Sequence, residues 1–207
     1  MKIGIFGGTF DPIHQGHLAL ARAAQKQFGL QKILFVPALI PPHKSSRRDL
    51  TPAPYRYRMV EIAIRNEPNF EISDVEFNRP EVSYTVETLR DLKKKYPDDE
   101  LFLIVGADSL AEMHKWREPD EIQRLAGVLV ARRSGVDIAA ASQIPSQGGV
   151  EWPVQWIEMK DCPLSSSQIR EMFFRAEALS GDILPEGVED YILKMKLYEK
   201  AKPCTSS

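Results

Sequence analysis

The stretch "KIGIFGGTFDPIHQGHLALARAAQKQF", residues 2–28, decides the fold of this 207-residue chain. Its first five residues are a short, largely apolar run, which predicts a buried strand. Residues 17–28 combine helical spacing with strong helix formers, and Gly29 follows them as a helix stop. The segment "GGTFDPIHQGH" (7–17) connects the two elements. The chain therefore begins as a strand, a glycine-rich loop and a helix.

The same alternation continues along the chain. Further strands are predicted at residues 32–37, 70–77, 101–106, 127–132 and 154–159. Further helices are predicted at residues 54–67, 83–96, 118–126, 165–179 and 186–198. The helix at 83–96 is expected to be capped by Ser83 or Thr85.

This pattern predicts an α/β fold: a Rossmann-like, doubly wound parallel sheet with a small C-terminal helical part. We expect one domain over residues 1–199, with the helical part at about 165–199, and a disordered tail at 200–207. In the usual strand order 3-2-1-4-5, the first and fourth strands are neighbours where the winding reverses. A ligand is expected beyond their carboxyl ends, where "GGTFDPIHQGH" and "GADS" stand.

Composition and missing motifs exclude several classes of protein. A net charge of −2 gives no general attraction to nucleic acid or to an anionic membrane, and no apolar run approaches a membrane span. Cys162 and Cys204 have neither metal nor redox spacing, so free thiols and a cytoplasmic location are expected. The first loop is not G-x-G-x-x-G, and no P-loop, H-E-x-x-H or nucleophile elbow occurs. Dinucleotide oxidoreductases, P-loop NTPases, zinc hydrolases and serine esterases therefore lack support.

The H-x-G-H segment has the residues of a phosphate cradle. His14 and His17 are three residues apart at the opening of a helix, so they can share one face beside Gly16. The helix N-terminus adds N–H groups and positive dipole. Further backbone and hydroxyl donors come from Gly7, Gly8 and Thr9. Such a cradle suits phosphoryl or nucleotidyl transfer, whereas the plain structural alternative is a pair of capping or packed histidines.

These residues resemble the signature of the nucleotidyltransferase superfamily. Its second signature, I-S-S-(S/T)-x-x-R, is present as "LSSSQIR" (164–170), with Leu164 in place of isoleucine. The serines can cap a helix and offer donors to phosphate, and Arg170 lies one turn further in. The resemblance implies ATP contacts at Gly7, Gly8, Thr9, Phe10, His17, Gly106, Asp108, Ser165, Ser166, Ser167, Ile169 and Arg170. It implies catalytic roles for His14, His17, Lys44 and Arg170.

Over nearly its full length, to about residue 199, the chain resembles the family of bacterial nicotinate-nucleotide adenylyltransferases. The segments "PPHK" (41–44), "SYTVETL" (83–89), "GADSLAEMHKW" (106–116) and "VARRSG" (130–135) carry this likeness. The resemblance implies that the acceptor nucleotide is bound by Lys44, Tyr84, Thr85, Trp116 and Arg132. Taken singly, each has a plain structural alternative: a solvated loop, a helix cap, a core aromatic or a surface arginine.

The implied reaction is adenylyl transfer from ATP to nicotinate mononucleotide, which gives deamido-NAD and pyrophosphate. Mg²⁺ would be carried mainly by the ATP phosphates, so no metal site is expected on the protein. Family members are often dimers, so a homodimer is expected. The alternatives are an adenylyltransferase for nicotinamide mononucleotide or phosphopantetheine, and a non-catalytic nucleotide sensor of the same fold. A class I tRNA synthetase would be longer and would carry a lysine-rich second motif.

Overall fold

The computed structural model describes residues 1–42, 50–79, 82–132, 153–159, 165–179 and 181–199. Four predictions lie outside these residues: those for Lys44, for Leu164, for the two cysteines and for the tail at 200–207. Within the described ranges, no helix combines the length and the apolar character that crossing a membrane requires.

The strands are β1 (Lys2–Gly8), β2 (Lys32–Pro37), β3 (Phe70–Ile72), β4 (Glu100–Gly106), β5 (Gly127–Arg132) and β6 (Val154–Glu158). The helices are α1 (Gln15–Phe28), α2 (Ala53–Ile64), α3 (Thr85–Lys95), α4 (Ala107–Glu112), α5 (Pro119–Leu125), α6 (Ser166–Phe174) and α7 (Val188–Lys194). A short 3₁₀ turn (Met113–Lys115) follows α4.

All six strands are parallel and lie in the order β3-β2-β1-β4-β5-β6, so the predicted doubly wound sheet is confirmed. β1 pairs with β4 only as far as Ile5 with Leu103, and the two strands then separate toward Gly8 and Gly106. Loops that leave them turn to opposite faces, which opens a crevice at this point. The switch point thus lies where the sequence predicts a ligand.

Alternate strand residues pack into two cores, one on each face of the sheet. On one face, Phe6, Ile33 and Phe35 pack with residues of α1, α2 and α7. On the other, Ile3, Ile5 and Leu34 pack with residues of α3, α4 and α5. The near-continuous apolar strands are explained by this burial on both sides.

Several predicted boundaries are wrong. β3 ends at Ile72, not at residue 77, because the chain turns there and Phe77 N–H donates to the carbonyl of Asp74 at 2.8 Å. α2 ends at Ile64, before Pro68, which cannot continue a helix. α3 has Tyr84 as its N-cap, without a side-chain cap, so neither Ser83 nor Thr85 caps it.

Two further features of the helices differ from the sequence prediction. α1 begins at Gln15, two residues earlier than predicted, and it ends at Gly29 in the left-handed conformation (φ 63°), as predicted. The sequence predicts no helix at residues 107–115, because α4 and the 3₁₀ turn are shorter than the window over which helical periodicity can be read. The structure thus makes the exit of β4 helical, which matters for the cleft described next.

Candidate active site

A cleft of about 1030 Å³ opens at the carboxyl ends of β1 and β4. Its walls come from the β1–α1 loop, the starts of α3 and α6, and the segment from Gly106 to Arg117. Of the residues predicted to bind nucleotide, the cleft is lined by Gly7, Gly8, Thr9, Phe10, His14, His17, Tyr84, Thr85, Gly106, Asp108, Trp116, Arg132, Ser165, Ser166, Ser167 and Arg170. The fold therefore brings together predicted residues from five separate segments of the chain.

His14 and His17 stack at the N-terminus of α1. Their ring centroids are 3.8 Å apart with an angle of 34° between the planes. The backbone N–H of His14 donates to Nδ1 of His17 at 3.1 Å. Since Nδ1 accepts this bond, a neutral His17 carries its proton on Nε2, and that atom is then a hydrogen-bond donor.

His14 is the N-cap residue of α1 and is only 8% exposed. Burial lowers its pKa from 6.5 to about 4, so the ring is neutral at pH 7. Its Nδ1 atom is buried and has no hydrogen-bond partner among the described residues. A neutral, buried imidazole next to His17 is a poor acid or base at neutral pH but a well-placed dipole for a bound anion.

Phe10 supports His17 from below. Its backbone is left-handed (φ 48°), and its ring meets the ring of His17 edge-on at 5.2 Å and that of Phe6 at 5.5 Å. A Cβ atom on Gly8 would lie 2.9 Å from the same ring, so only glycine fits there. Phe10 lines the cleft as predicted, although its ring is only 2% exposed and serves mainly as packing.

The second signature begins α6 with a capping box. Ser165 Oγ accepts from the backbone N–H of Gln168 at 3.3 Å, and Gln168 Oε1 accepts from the backbone N–H of Ser165 at 2.8 Å. This cap fixes the start of α6 at the cleft, where the positive end of the helix dipole favours an anion.

The second signature is also bonded directly to the first. Ser166 Oγ donates to the carbonyl of Pro12 at 2.9 Å. Arg170 donates through Nη1 to the carbonyl of Asp11 at 2.6 Å and through Nη2 to Ser167 Oγ at 3.2 Å. The two motifs, about 150 residues apart in sequence, therefore form one structural unit at the cleft.

Ile169 is a predicted ATP contact that does not line the cleft. Its side chain is fully buried and is not among the described residues that line the cleft. Its backbone N–H donates to the carbonyl of Ser165 at 3.1 Å, within the helix. Ile169 and Phe173, one turn apart, form the apolar face by which α6 packs on the core.

The start of α3 and the end of the 3₁₀ turn form the other wall of the cleft. The half-buried Trp116 and the N-terminal residues Tyr84 and Thr85 face the cleft. The backbone N–H groups at the start of α3 come before the first hydrogen bonds of the helix. Those first bonds run from the N–H groups of Glu87 and Thr88 to the carbonyl of Tyr84. The guanidinium of Arg117 lies 5.0 Å from the centre of the Tyr84 ring. This wall of the cleft therefore combines the aromatic face of Trp116 with the positive charge of Arg117.

Gly106, Asp108 and Arg132 lie at the ends of β4 and β5. Gly106 is the N-cap of α4, and Asp108 lies in the exposed first turn of that helix. Arg132 pairs with Glu158 across the strands at 2.8 Å and is 34% exposed. All three line the cleft, so the positions predicted from the sequence are compatible with contact to a nucleotide.

The sequence prediction missed a buried arginine beneath the cleft. Arg56, on α2, is fully buried and donates to three carbonyl oxygens: those of Thr51 (2.8 Å), Thr9 (2.7 Å) and Leu39 (3.3 Å). Burial lowers its pKa, and the negative charge of Asp11 counteracts this effect. Arg56 thus ties the glycine-rich loop to the segment after β2. In the sequence, the only sign of this buried residue is that an arginine lies on the apolar face of a predicted helix.

Glu76 and Arg117 also line the cleft without having been predicted. Glu76 is 6% exposed, its Oε1 accepts from the Thr88 hydroxyl at 2.7 Å, and burial raises its pKa. The pattern "HKWRE" around Trp116, with bases on both sides of an aromatic, was the available sign for Arg117.

A doubly wound sheet with these two joined motifs at its switch point defines the nucleotidyltransferase class. A family model described as cytidylyltransferase-like matches residues 5–172. A Bacillus subtilis (strain 168) protein named nicotinate-nucleotide adenylyltransferase is 37% identical over 198 residues, 96% of this chain and 98% of its own. A Dictyoglomus thermophilum protein with the probable form of that name is 38% identical over 96% of this chain and 100% of its own. The chain belongs to the cytidylyltransferase-like family and, within it, to the nicotinate-nucleotide adenylyltransferases.

Solved structures show the same fold. Plasmodium falciparum nicotinic acid mononucleotide adenylyltransferase complexed with NaAD aligns with a TM-score of 0.73 and 21% identity, over 95% of this chain and 97% of that chain. The same protein complexed with APC aligns with a TM-score of 0.72 and 20% identity, over 95% and 96% of the two chains. The likeness covers nearly the whole chain and shows a shared fold.

Proposed function

We propose that this chain transfers the adenylyl group of ATP to nicotinate mononucleotide and forms deamido-NAD and pyrophosphate. The observation that carries the proposal is the stacked pair His14 and His17 at a helix N-terminus, joined to the serine–arginine motif at the mouth of the cleft. The relatives' names support it, since the likeness covers nearly the whole chain.

The reaction needs no general base. An oxygen of the acceptor's 5′-phosphate attacks the α-phosphorus of ATP and forms a new P–O bond. The bond from the α-phosphorus to the bridging oxygen of pyrophosphate breaks, and its electron pair leaves with pyrophosphate. The attacking oxygen is already anionic, which agrees with a neutral His14 in the cleft. What remains for the protein is to position the reactants and to offset negative charge.

The donors at the mouth of the cleft fit that task. We assign His17 Nε2–H to the α-phosphate, with the positive end of the α1 dipole beside it. Arg170 and the capped start of α6 face phosphate from the other side. Lys44 keeps its predicted role as a phosphate ligand from the "PPHK" loop.

The opposite wall suits the nicotinate group. Trp116 offers an aromatic face for an electron-poor pyridinium ring. The first amides of α3, around Thr85, and the positive charge of Arg117 near Tyr84 favour a carboxylate. An amide would gain less from this charge, so the wall favours the acid over nicotinamide mononucleotide.

Gly106 and Asp108 are assigned to the adenosine, as the resemblance implies. We propose that Mg²⁺ arrives on the ATP phosphates. The described residues hold no group of three His, Cys, Asp or Glu side chains placed to bind a metal, whereas the exposed carboxylate of Asp108 is a hard oxygen donor that fits Mg²⁺. The ion would offset phosphate charge during transfer.

The first experiment measures pyrophosphate release from Mg-ATP with three acceptors in parallel: nicotinate mononucleotide, nicotinamide mononucleotide and phosphopantetheine. The proposal expects a strong preference for the first. Release with another acceptor would keep the chemistry and overturn the substrate. ATP binding without release in any arm would indicate a nucleotide sensor.

A variant pair tests the role of the histidine motif. His17→Ala should lower kcat by about a hundredfold to a thousandfold, the usual effect of removing a donor to developing charge. His114→Ala, on the 3₁₀ turn, is the matched control and should keep wild-type turnover. An active His17→Ala protein would overturn the assignment. The expected homodimer and the cytoplasmic location stay predictions, and light scattering after gel filtration tests the first.

A further inference from the structure

The C-terminal part of the chain holds the loop that carries the two histidines. Within the described part of the chain, residues 11–15 form four hydrogen bonds with residues beyond 165. Two come from side-chain donors of α6, one goes to a backbone carbonyl and one comes from a tyrosine. They are Arg170 Nη1 to Asp11 O (2.6 Å), Ser166 Oγ to Pro12 O (2.9 Å), Gln15 N to Ile183 O (2.9 Å) and Tyr198 Oη to Asp11 Oδ1 (2.7 Å). The C-terminal partners in the last two bonds, Ile183 and Tyr198, lie outside the second signature.

Tyr198 is built into its place. It follows α7 with a left-handed backbone (φ 66°), and its ring packs against Phe173 with centroids 6.0 Å apart. Asp11, the acceptor, is only 5% exposed. Burial and the charge of Asp11 raise the pKa of Tyr198, so the hydroxyl keeps its proton and remains a donor.

Asp11 links several parts of the site. Its carbonyl accepts from Arg170, its Oδ2 accepts from the backbone N–H of Thr51 at 3.5 Å, and its charge faces the buried Arg56. It lies three residues before His14 in a short loop. A rotation of the Asp11 carboxylate would therefore displace the loop that carries the histidines and the arginine of the second signature.

We propose that Tyr198 is a positioning residue: its hydroxyl fixes Asp11, and through Asp11 it fixes His14, His17 and Arg170 relative to each other. The catalytic part of this inference rests on the proposed function. A tyrosine with a merely structural role would only anchor the C-terminal segment to the core, and its loss would lower stability without moving the histidines.

The test is Tyr198→Phe, which removes one oxygen and keeps the ring. Tyr191→Phe is the matched control, because Tyr191 lies on α7 against the same core and its hydroxyl forms no hydrogen bond with residues 7–17 of the described structure. We expect Tyr198→Phe to lower kcat about tenfold, the value of one hydrogen bond to a charged group, with KM for both substrates within about twofold. A kcat within twofold of wild type, or an equal fall in Tyr191→Phe, would overturn the proposal.

A second readout does not depend on turnover. The chain has four histidines, so the ring nitrogens of a ¹⁵N-histidine-labelled sample can be assigned individually. We expect Tyr198→Phe to shift the resonances of His14 and His17 and to leave that of His114 in place. Unchanged resonances would refute the positioning role. Shifted resonances in a protein whose wild type releases no pyrophosphate would uphold the positioning and refute the proposed function instead.

A double-mutant cycle tests the route through Asp11. Asp11→Ala removes the carboxylate that accepts from the Tyr198 hydroxyl. If Tyr198 acts through Asp11, the double variant should lose no more kcat than Asp11→Ala alone. Additive losses would show that Tyr198 reaches the site by another path and would overturn the inference as stated.

Discussion

The buried, neutral state of His14 predicts a specific loss of stability in mild acid. Its pKa is about 4 in the folded chain against 6.5 for an exposed imidazole. Between these values the unfolded chain binds more protons than the folded chain, so the free energy of unfolding falls as the pH falls. Linkage gives a loss of about 2 kcal/mol between pH 7.5 and 5.0, which rises to about 3 kcal/mol below pH 4. Above about pH 6.5, nearly all of this part of the free energy of unfolding is retained.

The measurement is urea unfolding at pH 7.5 and 5.0, for the wild type and for His14→Asn. Asparagine is a favoured N-cap residue, so α1 keeps a capped start, and it does not titrate. The pKa of Glu76 is raised by burial, which opposes the His14 effect, but Glu76 is present in both proteins and the subtraction removes it. His114→Asn serves as the control, and it should retain the wild-type dependence on pH.

The result that would refute the reasoning is an equal loss of stability in the wild type and in His14→Asn. It would mean that the His14 ring is hydrated, or that it gains a partner for Nδ1, and that the fold accepts its charge. The catalytic argument would then change as well, because a cationic His14 stacked on His17 would supply charge to the phosphates in place of a dipole.

Arg56→Met should lower the free energy of unfolding by about 3 kcal/mol, because three carbonyl acceptors lose their buried donor. The control Arg58→Met, on the exposed side of the same helix, should change it by less than about 0.5 kcal/mol. Urea unfolding measures both. Gly8→Ala should cost about 1–3 kcal/mol because its Cβ would meet a phenyl ring at 2.9 Å, while Gly7→Ala, with open space around it, should be near neutral by the same method. Arg117→Gln should raise KM for nicotinate mononucleotide about threefold to fivefold and should weaken the preference over the amide, in steady-state assays with both acceptors.

Most of the fold could be predicted because its signals are local. β2 and β5 have the predicted bounds, since a short, β-branched apolar run between a helix and a loop is typical of a strand buried on both faces. The stop of α1 at Gly29 follows from the left-handed cap. The start of α3 could not be predicted in this way, because Ser83 has another use: its hydroxyl accepts from the backbone N–H of Ile40 at 3.2 Å.

The site could be predicted as far as its residues belong to short motifs. His14, His17 and Arg170 reach one cleft because parallel strands deliver their following loops to the same edge of the sheet. The burial of Ile169 could not be predicted in this way, because a motif gives the spacing of residues and not the direction of each side chain. The Tyr198–Asp11 bond joins residues 187 apart in sequence, and no local pattern contains that distance.

Long-range contacts, which no local sequence pattern shows, explain why the histidine motif depends on distant parts of the chain. The β1–α1 loop contains a left-handed Phe10, a conformation that costs free energy and does not persist by itself. It is held from below by Arg56 at the carbonyl of Thr9, and from the C-terminal side by Tyr198 at Asp11. Adenylyl transfer by positioning requires donors that do not reorganise as charge develops, and a loop bonded at both ends meets that need. The C-terminal helices are therefore part of the active site's frame, and the predicted effect of one distant hydroxyl on kcat follows from that arrangement.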